Sequence, residues 1–124
     1  MQKSNVLIVD DAPINRELLA FILQDHYQVF QAENGKQAIE MIESKERIYR
    51  LVLLDIQMPV MNGYDATLAI RKMKDTKKAR IPIIAMTANA FAEDIQKVLS
   101  VGMNAHVAKP VDMNILVPTM MKYL

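Results

Sequence analysis

The 124-residue sequence predicts an α/β domain built on an open parallel sheet of five strands, and three observations carry that expectation. Short β-branched or aliphatic runs alternate with longer stretches of helical spacing. Three of the runs are apolar throughout, as strands covered on both faces are. No long gap interrupts the alternation. Parallel neighbours need right-handed crossovers, and five units are too few to close an eight-stranded barrel, so the sheet stays open and doubly wound.

Taken in order, the first run is Val6 to Val9, followed by helical spacing over Ile14 to Gln24. Tyr27 to Phe30 precedes a helix over Lys36 to Ser44, and Leu51 to Leu54 precedes one over Tyr64 to Met73. Ile81 to Met86 leads to Phe91 to Val101, and Ala105 to Ala108 leads to Met113 to Tyr123. Asn34-Gly35 and Asn62-Gly63 stand just ahead of helices, whereas Gly102 follows one, as a terminal glycine often does. The basic clusters Arg71-Lys72 and Lys74 to Arg80 read as a solvated helix end and loop. With no linker, low-complexity tract or repeat, residues 1–124 read as a single domain.

Composition narrows the function classes. Fifteen Lys and Arg against fourteen Asp and Glu leave a net charge of +1, which argues against a chain that coats nucleic acid or anionic membrane. The absence of Cys excludes disulfide frameworks, thiolate zinc sites and a cysteine nucleophile, and two His are too few for an all-His metal site. The start of the chain resembles neither a signal peptide nor a membrane span, so a cytoplasmic domain without membrane contact is expected.

In an open doubly wound sheet, ligands sit beyond the carboxyl ends of the strands. Those ends carry Asp10-Asp11, Asp55, Thr87-Ala88 and Lys109-Pro110. Singly, each is an ordinary cap or turn residue. Together they put three carboxylates, a hydroxyl and an ammonium on one edge. Each carboxylate pair at ~4–5 Å and an effective dielectric of 20 repels by about 3–4 kcal/mol. A hard divalent cation with oxygen ligands offsets that, and Mg²⁺ suits one or two carboxylates plus water and a phosphate oxygen.

Four stretches carry a resemblance: Val6-Leu7-Ile8-Val9-Asp10-Asp11, Leu54 to Gly63, Pro82 to Ala88, and Gly102 to Pro110. Along essentially its whole length the chain resembles the receiver domains of two-component signalling, which occur in response regulators and hybrid histidine kinases. The Asn15-Arg16 pair and the Gly102 to Pro110 segment look most like receivers of hybrid kinases. The resemblance implies a flavodoxin-like (βα)5 fold with strand order 2-1-3-4-5.

It also implies roles. Asp55 is the phosphoacceptor, attacking the phosphoryl group of a phosphohistidine. Asp10, Asp11, Asp55 and the backbone carbonyl of Gln57 hold Mg²⁺. Lys109 contacts a phosphoryl oxygen and, before transfer, the acceptor carboxylate. A cis bond before Pro110 is expected in this family. Thr87 is the switch hydroxyl, and His106 stands where many response regulators carry the aromatic ring that moves with it. The domain is then a signalling switch rather than an enzyme, one that assists its own phosphorylation and dephosphorylation.

The helix over Ile14 to Gln24 carries apolar residues across an arc of roughly 200°, twice an ordinary core-facing stripe. Its margins, Ile14 with Phe21 on one side and Leu23 on the other, are expected to be partly exposed. By the resemblance, Ile14, Leu18 and Phe21 face a histidine kinase or histidine phosphotransfer domain. A monomer or weak dimer is expected, free or as the cytosolic part of a membrane-bound sensor kinase. No aromatics interleave the basic clusters, so direct nucleic-acid contact is not expected. Three other functions compete. An Asp-nucleophile phosphatase needs a second acid where Gln57 stands, and a nucleotide-binding sheet needs a Gly-rich loop where Asp11-Ala12-Pro13 stands. The remaining alternative is a receiver-fold binding module that works without phosphorylation.

Overall fold

The computed structural model describes residues 3–88 and 92–124. Five parallel strands, β1 (Asn5–Val9), β2 (Gln28–Ala32), β3 (Leu51–Asp55), β4 (Ile83–Thr87) and β5 (Ala105–Ala108), form one sheet in the order β2-β1-β3-β4-β5. The expected fold and strand order are both present. Between and after the strands lie α1 (Pro13–Leu23), α2 (Gly35–Glu43), α3 (Gly63–Arg71), the short α4 (Thr76–Ala79), α5 (Ala92–Ser100) and α6 (Met113–Met121). The expected first residue of the helix before Gly102, Phe91, lies outside the described residues.

Period-two alternation along the strands divides the core into two layers. Leu7, Val9, Val52, Leu54, Ile83 and Ala85 pack against α2, α3 and Val98 of α5. Their neighbours Val6, Ile8, Leu51, Leu53, Ile84 and Met86 pack against Leu19 and Leu23 of α1 and Leu116 and Met120 of α6. Both faces of the central strands are buried, so those strands carry no polar stripe.

Four local expectations are corrected. β2 runs from Gln28 to Ala32 rather than Tyr27 to Phe30, because the Tyr27 N–H is spent on the end of α1, donating to the Leu23 carbonyl. β4 is displaced from Ile81–Met86 to Ile83–Thr87; Pro82 has no N–H to pair, and the Ile81 carbonyl is taken by Arg71. Within the expected basic loop, Thr76–Ala79 forms a helical turn whose N-cap Asp75 accepts from the N–H groups of Lys77 and Lys78. Leu23 is buried rather than an exposed margin, because it lies one and two turns beyond Leu19 and Arg16 on the sheet-facing side.

Arg71 is a further correction. Expected as a solvated helix end, it is half-buried, and its guanidinium donates to the carbonyls of Gly102, Ala79 and Ile81 and to the Asn104 side chain. Burial lowers its pKa. Asn104 in turn accepts from the Ile83 N–H, so one side chain ties α3, the α4–β4 turn and the α5–β5 turn together. Gly102 sits there at φ 104°, a conformation an L-residue with a Cβ resists.

Candidate metal and phosphoacceptor site

The parallel register brings the strand ends level: Val9 pairs with Leu54, Asp55 with Met86, and Thr87 with Ala108. Asp10 and Asp11 follow β1, Asp55 ends β3, Thr87 ends β4 and Lys109 follows β5, so the five predicted residues share one edge. Carboxylate oxygens of Asp10, Asp11 and Asp55 all lie within 4.8 Å of one another. Asp10 and Asp55 are 1% and 3% exposed, while Asp11 faces solvent. The Lys109 ammonium lies 3.0 Å from Asp55 Oδ1 and 3.4 Å from Asp10 Oδ2. The peptide bond before Pro110 is cis, as expected.

These charges pull in opposite directions. Burial raises the Asp55 pKa above the ordinary carboxylate value; the Lys109 hydrogen bond and charge oppose that, while Asp10 and Asp11 add to it. Burial would lower the Lys109 ammonium, but Asp55 and Asp10 outweigh it and leave its pKa raised. Asp10 Oδ1 accepts from the Ala12 N–H, whereas Asp10 Oδ2 is buried without a hydrogen-bond partner beyond its long ion pair with Lys109. A buried carboxylate oxygen left open beside two other carboxylates fits a hard dication with oxygen ligands.

The loop after β3 is held rigidly against the acceptor. The Gly63 N–H donates to the Ile56 carbonyl, and a Cβ at Gly63 would sit 2.5 Å from the Asp55 carbonyl oxygen. Asn62 caps α3 by accepting from the Asp65 N–H. Between Ile56 and Asn62, Val60 adopts φ 70° in a three-residue turn closed from the Met61 N–H to the Pro59 carbonyl, a strained conformation for a β-branched residue. The exposed Gln57 lines, with Thr87, Tyr64 and Lys97, a cleft of about 530 Å³ beside the acceptor. His106 is half-exposed and, by alternation with the buried Val107, projects from the α5 side of the sheet.

Arg16 was missed as a site residue. It is buried, and its Nη1 donates to the Asp10 carbonyl at 2.7 Å while Nε donates to the Gln31 side chain. The guanidinium therefore braces the backbone of a candidate metal ligand. The available signal was positional: Arg16 shares a helix face with Leu19 and Leu23. On the opposite side of α1, Ile14, Leu18 and Phe21 are 79%, 57% and 70% exposed. Leu18 and Ile22 border an apolar groove of about 460 Å³ that reaches Asp10 and Lys109.

The response regulator receiver domain family matches residues 6–120. The chain belongs to that family. It is 41% identical over 119 residues to the sensor histidine kinase RcsC of Escherichia coli, and 37% identical over 120 residues to the hybrid signal transduction histidine kinase I of Dictyostelium discoideum. These matches cover 95% and 94% of this chain but only 12% and 7% of those proteins. The receiver domain of a Pseudomonas aeruginosa sensor histidine kinase, solved with magnesium coordinated in its active-site cleft, superposes at TM-score 0.86 with 33% identity over 99% of this chain and 98% of that one. A Saccharomyces cerevisiae receiver domain, solved with a histidine phosphotransfer signalling protein, superposes at 0.88 with 31% identity over 98% and 89%. This receiver is thus a signalling domain of two-component systems, similar to those of hybrid histidine kinases. Among the described residues no helix is long and apolar enough to cross a membrane.

Proposed function

We propose that residues 1–124 are a single receiver domain acting as a phosphoacceptor switch, with Asp55 taking a phosphoryl group from a phosphohistidine. The observation that carries this is the Lys109 ammonium 3.0 Å from a buried Asp55 that shares its pocket with two more carboxylates, one of them with an open oxygen. Asp10, Asp11, Asp55 and the Gln57 carbonyl are the candidate Mg²⁺ ligands. When bound, Mg²⁺ supplies charge neutralisation for the acids and for the phosphoryl oxygens.

The chain's own residues do the rest. Asp55 must be ionised to attack, and Lys109 favours that form where burial disfavours it. The Asp55 oxygen forms a bond to phosphorus as the phosphorus–nitrogen bond of the donor breaks, and its electron pair returns to the imidazole. Lys109 then exchanges its carboxylate contact for a phosphoryl oxygen, and Thr87 donates its hydroxyl to another. One or two such charge-assisted bonds, at ~1.5–3 kcal/mol each, shift the ratio of conformers roughly ten- to several-hundred-fold. His106 is the candidate second switch residue.

Ile14, Leu18 and Phe21 form the proposed docking face for a histidine kinase or histidine phosphotransfer domain. Their exposure beside a groove that leads to the acidic pocket supports this, as does the complex solved for the yeast relative. A monomer or weak dimer in the cytoplasm, free or as part of a membrane-bound sensor, completes the assignment. Incubation with acetyl phosphate and Mg²⁺ tests it. Mass measurement is expected to show one adduct of about 80 Da that disappears in Asp55→Asn. A parent protein that stays unmodified favours the phosphorylation-independent binding module instead.

A further inference from the structure

Lys97, on α5, places its ammonium 4.5 Å from the centre of the Tyr64 ring, on α3. Both residues line the cleft that Thr87 and Gln57 also line. Its two halves are anchored differently. Tyr64 follows Gly63, whose N–H is bonded to the Ile56 carbonyl and where an added Cβ would sit 2.5 Å from the Asp55 carbonyl oxygen, so the backbone bearing the ring is held against the acceptor strand. Lys97 rides on the helix that follows the Thr87 strand. That helix is pinned at its far end, where Arg71 holds the Gly102 carbonyl and the Asn104 side chain. Thr87 ends β4 and α5 is the next element of the chain, so a Thr87 that moves toward a phosphorylated Asp55 would carry α5 with it. With its far end held by Arg71, such a shift would swing α5 across α3, and the Lys97–Tyr64 contact joins the two helices.

From this we infer that Lys97 and Tyr64 form a latch that holds α5 in its unphosphorylated position and opposes the switch. The inference rests on the phosphoacceptor assignment and adds its regulation. An exposed cation–π contact made in only one conformer biases the equilibrium about two- to fivefold. Releasing the latch should therefore tighten binding of a phosphoryl mimic without touching the groups that bind it.

The test is calorimetric titration with beryllium fluoride and Mg²⁺ of the parent, Lys97→Met, Tyr64→Leu, the double variant and Tyr64→Phe. Each of the first two variants is expected to bind about two- to fivefold more tightly than the parent, and the double variant no more tightly than either. Tyr64→Phe keeps a ring and should behave as the parent. Unchanged or weaker binding in Lys97→Met, or independent effects that add in the double variant, would overturn the latch. Lys97 is exposed, so Lys97→Met keeps the test decisive even where Tyr64→Leu fails to fold. A parent that takes up neither beryllium fluoride nor a phosphoryl group sinks the phosphoacceptor assignment itself, and the latch with it.

Discussion

Asp55 is held in a position that suits chemistry better than stability. Burial and two neighbouring acids raise its pKa in the folded chain, so ionising it at neutral pH works against the fold. The sign follows from proton binding. The folded state holds the Asp55 proton to higher pH than the unfolded state, so this destabilisation is absent below the ordinary value of 3.8 and grows as pH rises through the raised one. Without Mg²⁺, Asp55→Asn should therefore be more stable than the parent at pH 7, by on the order of 1 kcal/mol, and the gap should close in acid. Urea unfolding at both ends of that range checks it. This much of the site was legible in the sequence, because Asp10, Asp11, Asp55, Thr87 and Lys109 each stand at or just beyond the carboxyl end of a strand. Arg16 and Arg71 were not, because an arginine whose partners are backbone carbonyls or neutral side chains carries no charge pattern to find.

At the level of elements, the loop from β3 into α3 is packed closely against the site. Gly63 leaves no room for a side chain, since an added Cβ would press on the Asp55 carbonyl and the Ile56 Cα at 2.5 and 2.9 Å. Gly63→Ala is expected to lower stability by about 1–3 kcal/mol despite better helix propensity, because backbone has to move. Since the displaced atoms belong to Asp55, the rate of adduct formation from acetyl phosphate should fall as well. Comparing urea midpoints with the mass-detected rate separates the two effects. Helix α1 shows the limit of periodicity. Its broad apolar arc announced that some residues must be exposed, and Ile14 and Phe21 are. Only the packing of α1 on the sheet decided that Leu23 is core.

For the molecule as a whole, the sheet assembles a charge cluster that the chain alone leaves uncompensated. Mg²⁺ that binds the folded pocket and not the unfolded chain raises stability by mass action, about 2.7 kcal/mol at one hundred times its dissociation constant. Thermal unfolding with Mg²⁺ against a chelator should show a rise of several degrees in the parent and little in Asp10→Asn. Equal shifts in both proteins would show that Asp10 is no ligand. The sequence by itself determined the order of elements, the open parallel sheet and the acids at its carboxyl edge. Hydrophobic period and strand-end chemistry are local properties of the chain, and they need no partner to be read. The tertiary structure alone decided how near Lys109 comes to Asp55, which oxygen of Asp10 stays open, and that Arg71 ties α3 to two turns. Those depend on register between strands far apart in the chain and on which backbone carbonyls the fold leaves unpaired, and neither is encoded in any single segment.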